Sequence, residues 1–359
     1  MVTDTERPEV SCEVAVIGGG LAGLIAARGL HRAGADVLVI EAADLIGGRI
    51  HSLYDDAGLY LGDLGPTWVW PEHQPHVSYL IGELGLELFP QFETGEAVVE
   101  ITPELPPSRQ DLPGQLGIAR IVGGPQAIVD GVARDIVGVP LHLNAPVHRI
   151  SRVSDYYLVQ TPSADFKARK LVLAAPLRRL ARGIEWDNTL SGDLRAIMRS
   201  APTWMAAQAK IVVTYDTPFW RKDGLSGRIV SRLGPLVELH DHCGPEGHPA
   251  ALFGFVGLPP DMRETSPLRR EIKDQLVRCL GPKAATFTRL KIMDWAGDPN
   301  VSTPGDIIDP GGHPQVLPQP IREVHDNMVF CAAETALHHP GLIDGAVEAG
   351  TRAAQLLSG

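Results

Sequence analysis

EVAVIGGGLAGLIAARGLHRAGADVLVIEAADLIGGRI, residues 13–50, decides the fold. EVAVI at 13–17 is a β-branched apolar run and reads as a buried strand. GGGLAG follows at 18–23, and residues 21–33 place Leu21, Leu24, Ile25, Ala27 and Leu30 at helical spacing, with Gly34 ending the helix. DVLVI at 36–40 is a second strand, closed by Glu41. Strand, Gly-rich turn, helix, strand and acid in this order mark a dinucleotide-binding unit. Gly18 permits the tight turn, Gly20 lets backbone approach a pyrophosphate, and Gly23 lets helix and strand pack closely. The helix N-terminus offers free N–H groups and partial positive charge to the phosphates. Glu41 suits both ribose hydroxyls and would repel a 2′-phosphate, which disfavours NADP. The competing reading is an ordinary βαβ unit with an incidental Gly-rich turn. All four context elements weigh against it, but they do not separate FAD from NAD.

The rest of the 359-residue chain agrees with a globular protein of one large or two interleaved domains. A hydrophobic fraction of 44% supplies a core, and 38 Gly with 30 Pro is loop-rich without reaching disordered composition. A net charge of −11 is a poor match for a nucleic-acid duplex or an anionic membrane. Cys12, Cys243, Cys279 and Cys331 are scattered without C-x-x-C spacing, which fits a reducing compartment. MVTDTERPEVSC at the start has no apolar core of a secretory signal, and no run is long enough to span a bilayer. The expectation is a soluble, cytoplasmic protein with no nucleic-acid or membrane partner. A homodimer is left open.

Gly47-Gly48-Arg49 follows the second strand and suits a second approach to a pyrophosphate. With it, the 16–50 stretch resembles the flavin-containing amine oxidase family, which includes monoamine and polyamine oxidases. The resemblance implies FAD. It places Gly65, Pro66, Thr67 and Trp68 of GDLGPTWVW (62–70) beside the isoalloxazine, with Trp68 and Trp70 on the substrate side or in the core. It gives Val147, in LHLNAPVHRI (141–150, read as a strand), an adenine contact. QAKIVVTYDTPFW (208–220) matches a family strand and loop. Lys210 opens this strand with no assigned role, a salt bridge being the favoured use. FCAAETALHHPGLIDGAVEAGTRAA resembles the C-terminal motif, with Glu334 near ribityl or pyrophosphate oxygens and Ile343 at the flavin pyrimidine carbonyl. Ala346, Ala349, Gly350, Ala353 and Leu357 share one face of its helix, whose N-terminus would favour reduced flavin.

The expected fold is therefore α/β, a discontinuous Rossmann-like FAD-binding domain (1–72, 119–180, 297–359) interleaved with an α+β substrate domain (73–118, 181–296). The Pro- and Gly-rich 101–117 loop stands where larger family members carry a helical insert. Candidate catalytic residues are Trp295 as an aromatic wall, Trp68, Leu342 at a position where family members often have Tyr, and His338. For His338 and His339 a hydrogen-bonded structural role competes with a substrate-facing one. The family lysine that holds a water at the flavin is matched to LRRLARGIEWD, where Arg182-Gly183-Ile184 contains none. Pro304 and Gly305 occupy the region where some members attach FAD through Cys, so noncovalent FAD is expected. HDHCGPEGH (240–248) contains metal-ligand types, but its polar spacing reads as a solvated hairpin tip. The implied reaction is oxidation of a small organic amine to an imine by hydride transfer to FAD, with oxygen as acceptor and hydrogen peroxide as product. Desaturation or dehydrogenation of a C–C or other C–H bond, and flavin binding at a degenerate site, are the competing readings.

Overall fold

The computed structural model describes residues 7–187 and 189–358. Residues 1–6, the first half of the segment read as lacking a secretory signal, lie outside it. Two sheets organise the chain. The first has eight strands, and its centre is parallel: Glu9–Ile17 lies between Val37–Ile40 and Asp165–Leu173. Val37–Ile40 pairs onward with Leu141–His142, and Asp165–Leu173 also takes Met328–Phe330 in parallel. An antiparallel arm, Tyr156–Gln160 and Arg149–Val153, extends the other edge to Glu185–Trp186. The central strands are buried on both faces, which is why Val14–Ile17 and Val37–Ile40 are unbroken apolar runs rather than alternating ones.

One face of this sheet carries the Leu21–Arg32 helix and, against it, the C-terminal Ile343–Leu357 helix. Small residues bring the two together. A Cβ on Gly350 would stand 2.5 Å from the Ala22 carbonyl oxygen, and one on Gly29 would stand 2.6 Å from the Ala354 methyl. The two ends of the chain thus share one core, with Leu24, Ile25, Val347 and Ala353 among its members.

The second sheet has seven strands in the order Arg289–Asp294, Ala209–Tyr215, Ala250–Val256, Leu236–Asp241, Leu225–Ser231, Glu96–Glu100, Ser108–Gln110. It is antiparallel except where Leu225–Ser231 runs parallel to Glu96–Glu100. All seven residues of Ala209–Tyr215 are buried because both faces are covered. Ile211, Val213 and Tyr215 pack with Ile272 and Leu276 of the Leu268–Leu280 helix, while Val212 turns to Leu64 and Phe253 on the other face.

Two elements expected in the second domain belong with the first sheet. The Pro75–Glu83 helix buries Val77, Leu80 and Ile81 in the nucleotide-side core, and Glu185–Trp186 is that sheet's edge strand. Apolar spacing announced the helix but not the sheet that would receive it. The 141–150 segment is not one strand: Leu141–His142 and Arg149–Val153 are separated by a loop that carries Val147. The 101–117 segment is short, with only Ser108–Gln110 in the sheet. No helix among the described residues is long and apolar enough to cross a membrane.

Candidate active site

A cavity of about 1010 Å³ lies between the two sheets and is lined from both. At its nucleotide end Gly18 has φ +109°, and a Cβ there would meet the Ala174 carbonyl oxygen at 2.7 Å, so a side chain is excluded twice over. A Cβ on Gly20 would have no neighbour nearer than 3.9 Å, because this backbone faces the open cavity. Gly23 is not at the cavity: its Cβ would stand 2.0 Å from the Gly18 carbonyl oxygen, which makes it a packing residue. Buried Glu41 accepts hydrogen bonds from Gly19 N at 2.5 Å and Ala43 N at 2.7 Å, and lines the same end. Gly47 N donates to Gly19 O at 2.9 Å, so the two Gly-rich turns are joined backbone to backbone. Val147, half-buried on its loop, also lines the cavity.

Gly48, Arg49, Gly65, Pro66, Thr67 and Trp68 continue the wall, and Leu342 and Ile343 face it from the start of the C-terminal helix. Thr67 lines the cavity, although its Oγ1 is buried and has no hydrogen-bond partner among the described residues. An exposed backbone cradle at Gly20 and a buried ribose-type carboxylate at Glu41 fit a bound dinucleotide such as FAD. Glu334 departs from its expected role. It is buried and does not line the cavity, because its carboxylate is held by Arg49 in two hydrogen bonds of 2.7 and 3.0 Å and by Trp204 N at 3.1 Å. That bidentate pair joins residues 285 positions apart.

The other wall is built from side chains. Three consecutive residues, Asp63, Leu64 and Gly65, each offer a backbone group to a side chain in or just after a strand of the second sheet. Asp63 N donates to His242 Nε2 at 3.0 Å, Trp295 Nε1 donates to Leu64 O at 3.0 Å, and Lys210 Nζ donates to Gly65 O at 2.7 Å. Trp295 and Lys210 both line the cavity. Lys210 sits 5.3 Å from the Phe255 ring centroid and 5.7 Å from that of Phe253. Burial pulls its ammonium down to about 8; Asp63 opposes the shift and Arg49 adds to it. The expected salt bridge is not formed among the described residues, and a carbonyl takes its place. Arg182 does not line the cavity although Gly183 and Ile184 do, so the amine that reaches this space is Lys210. Strand alternation held the signal. Ile211, Val213 and Tyr215 claim the helix-covered face, which turns Lys210 and Val212 the other way.

Trp68 is half-buried, donates Nε1–H to Gln91 Oε1 at 2.9 Å, and meets His240 and Phe253 edge-on at 4.8 and 5.7 Å. Trp204, which no sequence pattern singled out, lines the cavity and packs at a tilt against His313, with ring centroids 5.2 Å apart. His338 is not part of this wall. Its side chain is 69% exposed and lies beside Glu348, because the loop before Gly341 turns outward. His339 Nδ1 pairs with Asp344 at 3.0 Å. The 240–248 segment is not a solvated tip throughout: His240, Asp241, His242 and Cys243 are buried, and exposure begins at Pro245. His240 pairs with Glu238, while burial and the Arg120 charge lower His242 to about 4 against an opposing Asp63. These histidines pair with Glu238 and Asp63.

The family model described as flavin containing amine oxidoreductase matches residues 21–116 and 97–358. The chain belongs to this family. It is 24% identical to the "Probable flavin-containing monoamine oxidase A" of Dictyostelium discoideum, over 95% of this chain and 96% of that protein. That alignment runs over 449 positions, so the relative carries internal residues that this chain lacks. Wild-type putrescine oxidase bound to putrescine superposes with a TM-score of 0.78 at 22% identity, covering 97% of this chain and 99% of the other. Cyclohexylamine oxidase from Brevibacterium oxydans IH-35A gives 0.79 at 20% identity, over 97% and 98%. The protein is a flavin-dependent oxidoreductase with the amine oxidase fold.

Proposed function

We propose that this enzyme oxidises small, largely apolar primary amines to imines, using FAD held noncovalently in the cavity and oxygen as the final acceptor, with hydrogen peroxide released. The observation that carries the proposal is Lys210, a buried amine in an aromatic-walled space that is continuous with a dinucleotide cradle. Gly18, Gly20, Glu41, Gly48 and Arg49 would hold the dinucleotide, with Thr67, Trp68 and Ile343 toward its ring end. Bound FAD supplies the two-electron acceptor. Trp68, Trp204, Phe253, Phe255 and Trp295 exclude water and disfavour an ammonium ion, so substrate is held as the neutral amine whose lone pair assists hydride loss. Lys210, poised near neutrality and anchored on Gly65 O, would hold and exchange a proton with water at that wall. None of the four cysteines lines the cavity, which supports noncovalent attachment, and all four are free, which agrees with a cytoplasmic setting.

Desaturation of a C–C bond rests on a lysine missing from residues 177–187, and Lys210 in the cavity wall weighs against it. Leu342 at the cavity remains its one support. A panel of monoamines and diamines separates the readings. With a monoamine, the flavin should bleach anaerobically, and in air each turnover should yield peroxide. Bleaching without peroxide makes the enzyme a dehydrogenase. No bleaching with any amine contradicts amine oxidation.

A further inference from the structure

We infer that His76, His338 and Glu348 form a surface site for a divalent transition-metal ion, with zinc as the reference ion. The site lies outside the cavity, on the seam between the Pro75–Glu83 helix and the C-terminal helix. Glu348 is its fixed point. The side chain is 11% exposed, and its two oxygens accept Leu337 N at 2.7 Å and His338 N at 2.8 Å, which locks the carboxylate in place. His338 Nδ1 lies 3.3 Å from Oε2 and His76 Nε2 lies 3.9 Å from the same oxygen. One donor atom from each residue falls within 4.8 Å of the others.

Two donors bound at about 2.0–2.1 Å to a tetrahedral zinc stand roughly 3.3 Å apart. The His338–Glu348 spacing already has this value, and His76, at 3.9 Å from Glu348, would have to move inward to reach it. The exposure of His338 leaves a fourth position for water. Two imidazoles with one carboxylate suit zinc, nickel or cobalt rather than calcium or magnesium, which prefer all-oxygen sites. Among the described residues no lysine or arginine forms a salt bridge with Glu348 that would compete with a cation.

A bound ion would tie two segments that lead directly into the cavity wall. Gln74 stands just before His76, and Gly341 and Leu342 stand just after His338. The expected effect is therefore a stiffer wall and a higher melting temperature, with no part in the chemistry.

The test uses tag-free holoenzyme titrated with Zn²⁺ alone by calorimetry, and with Co²⁺ for its tetrahedral absorption. One equivalent should bind per chain, more weakly as pH falls and the histidines protonate. His76→Ala/His338→Ala should lose that equivalent and the zinc-induced rise in melting temperature, yet keep its metal-free melting temperature and flavin spectrum. Should the double variant fold poorly, His338→Gln alone should still weaken binding at least about tenfold. No binding by the wild type, or the same stoichiometry in the variants, would overturn the site. The last result would assign the ion to other surface histidines.

Discussion

The two walls of the cavity are made of different material. The nucleotide wall is backbone: Gly18, Gly20, Gly47 and Gly48 present main-chain atoms, and Glu41 is held by the N–H groups of Gly19 and Ala43. The opposite wall is side chain: Lys210 and Trp295 line it and reach backbone carbonyls of Gly65 and Leu64, while His242 behind it takes the Asp63 N–H. Backbone sites require glycine at fixed spacing, so they leave a pattern in a short stretch of chain. Side-chain sites require only that distant strands meet, and they leave no local pattern. The same difference should separate the consequences of mutation, with cofactor loss on one wall and rate loss on the other.

The largest effect is expected behind the nucleotide wall, where the two chain ends are joined. Arg49→Ala leaves the buried Glu334 carboxylate unpaired, which should cost about 3–5 kcal/mol in urea unfolding. If Arg49→Ala unfolds like the wild type, the two chain ends are not joined through this pair. Gly20→Val sharpens the contrast. Its side chain has room in the fold but points into the cradle, so FAD affinity should fall at least about tenfold, or ~1.4 kcal/mol, while the far-UV spectrum stays native.

Lys210→Met should do the reverse. FAD should remain bound, and kcat/KM for amines should drop by about 10²-fold. In the wild type kcat/KM should rise with pH through about 8 as Lys210 loses its proton, and this limb should vanish in Lys210→Met while the substrate's own ionisation remains. Because the folded-state pKa is depressed, the unfolded chain binds more protons above pH 8. The burial cost of the charged lysine is therefore relieved as pH rises through 8. A profile identical in both proteins would remove Lys210 from the chemistry.

A smaller effect is expected at His242. Its pKa of about 4 lies below the unfolded value of 6.5, so stability should fall as pH drops from 6.5 to 4, by at most about 3 kcal/mol. His242→Asn should flatten that acid limb in a series of thermal melts. The smallest is at His338, exposed and outside the cavity, where His338→Ala should leave metal-free amine turnover within about twofold, the usual range for surface substitutions.

Legibility followed the same division. Residues 13–50 and the C-terminal helix were readable because each role there is set by nearest neighbours: a strand that must be apolar, a turn that must be glycine, a helix face that must be small. The pairing of Glu334 with Arg49 was not readable, because a carboxylate near a flavin motif says nothing about which cation will reach it. Val147 is assigned to a strand by the family resemblance alone; Asn144, at φ +53°, and Pro146 carry the mark of the break between Leu141–His142 and Arg149–Val153. Lys210 was in view from the outset. Its use depended on what covers each face of a strand buried on both sides, which is a property of the tertiary fold. Trp204 carried no pattern at all; it reaches the cavity because Arg49 and Glu334 hold its backbone carbonyl and N–H.

The central claim is that both chain ends close around one flavin, and the visible absorption spectrum of the purified protein tests it most directly. Yellow protein with the two bands of an oxidised flavin, whose chromophore acid precipitation releases as free FAD, is the predicted result. Folded protein that is colourless, and stays colourless after incubation with excess FAD and gel filtration, would contradict it.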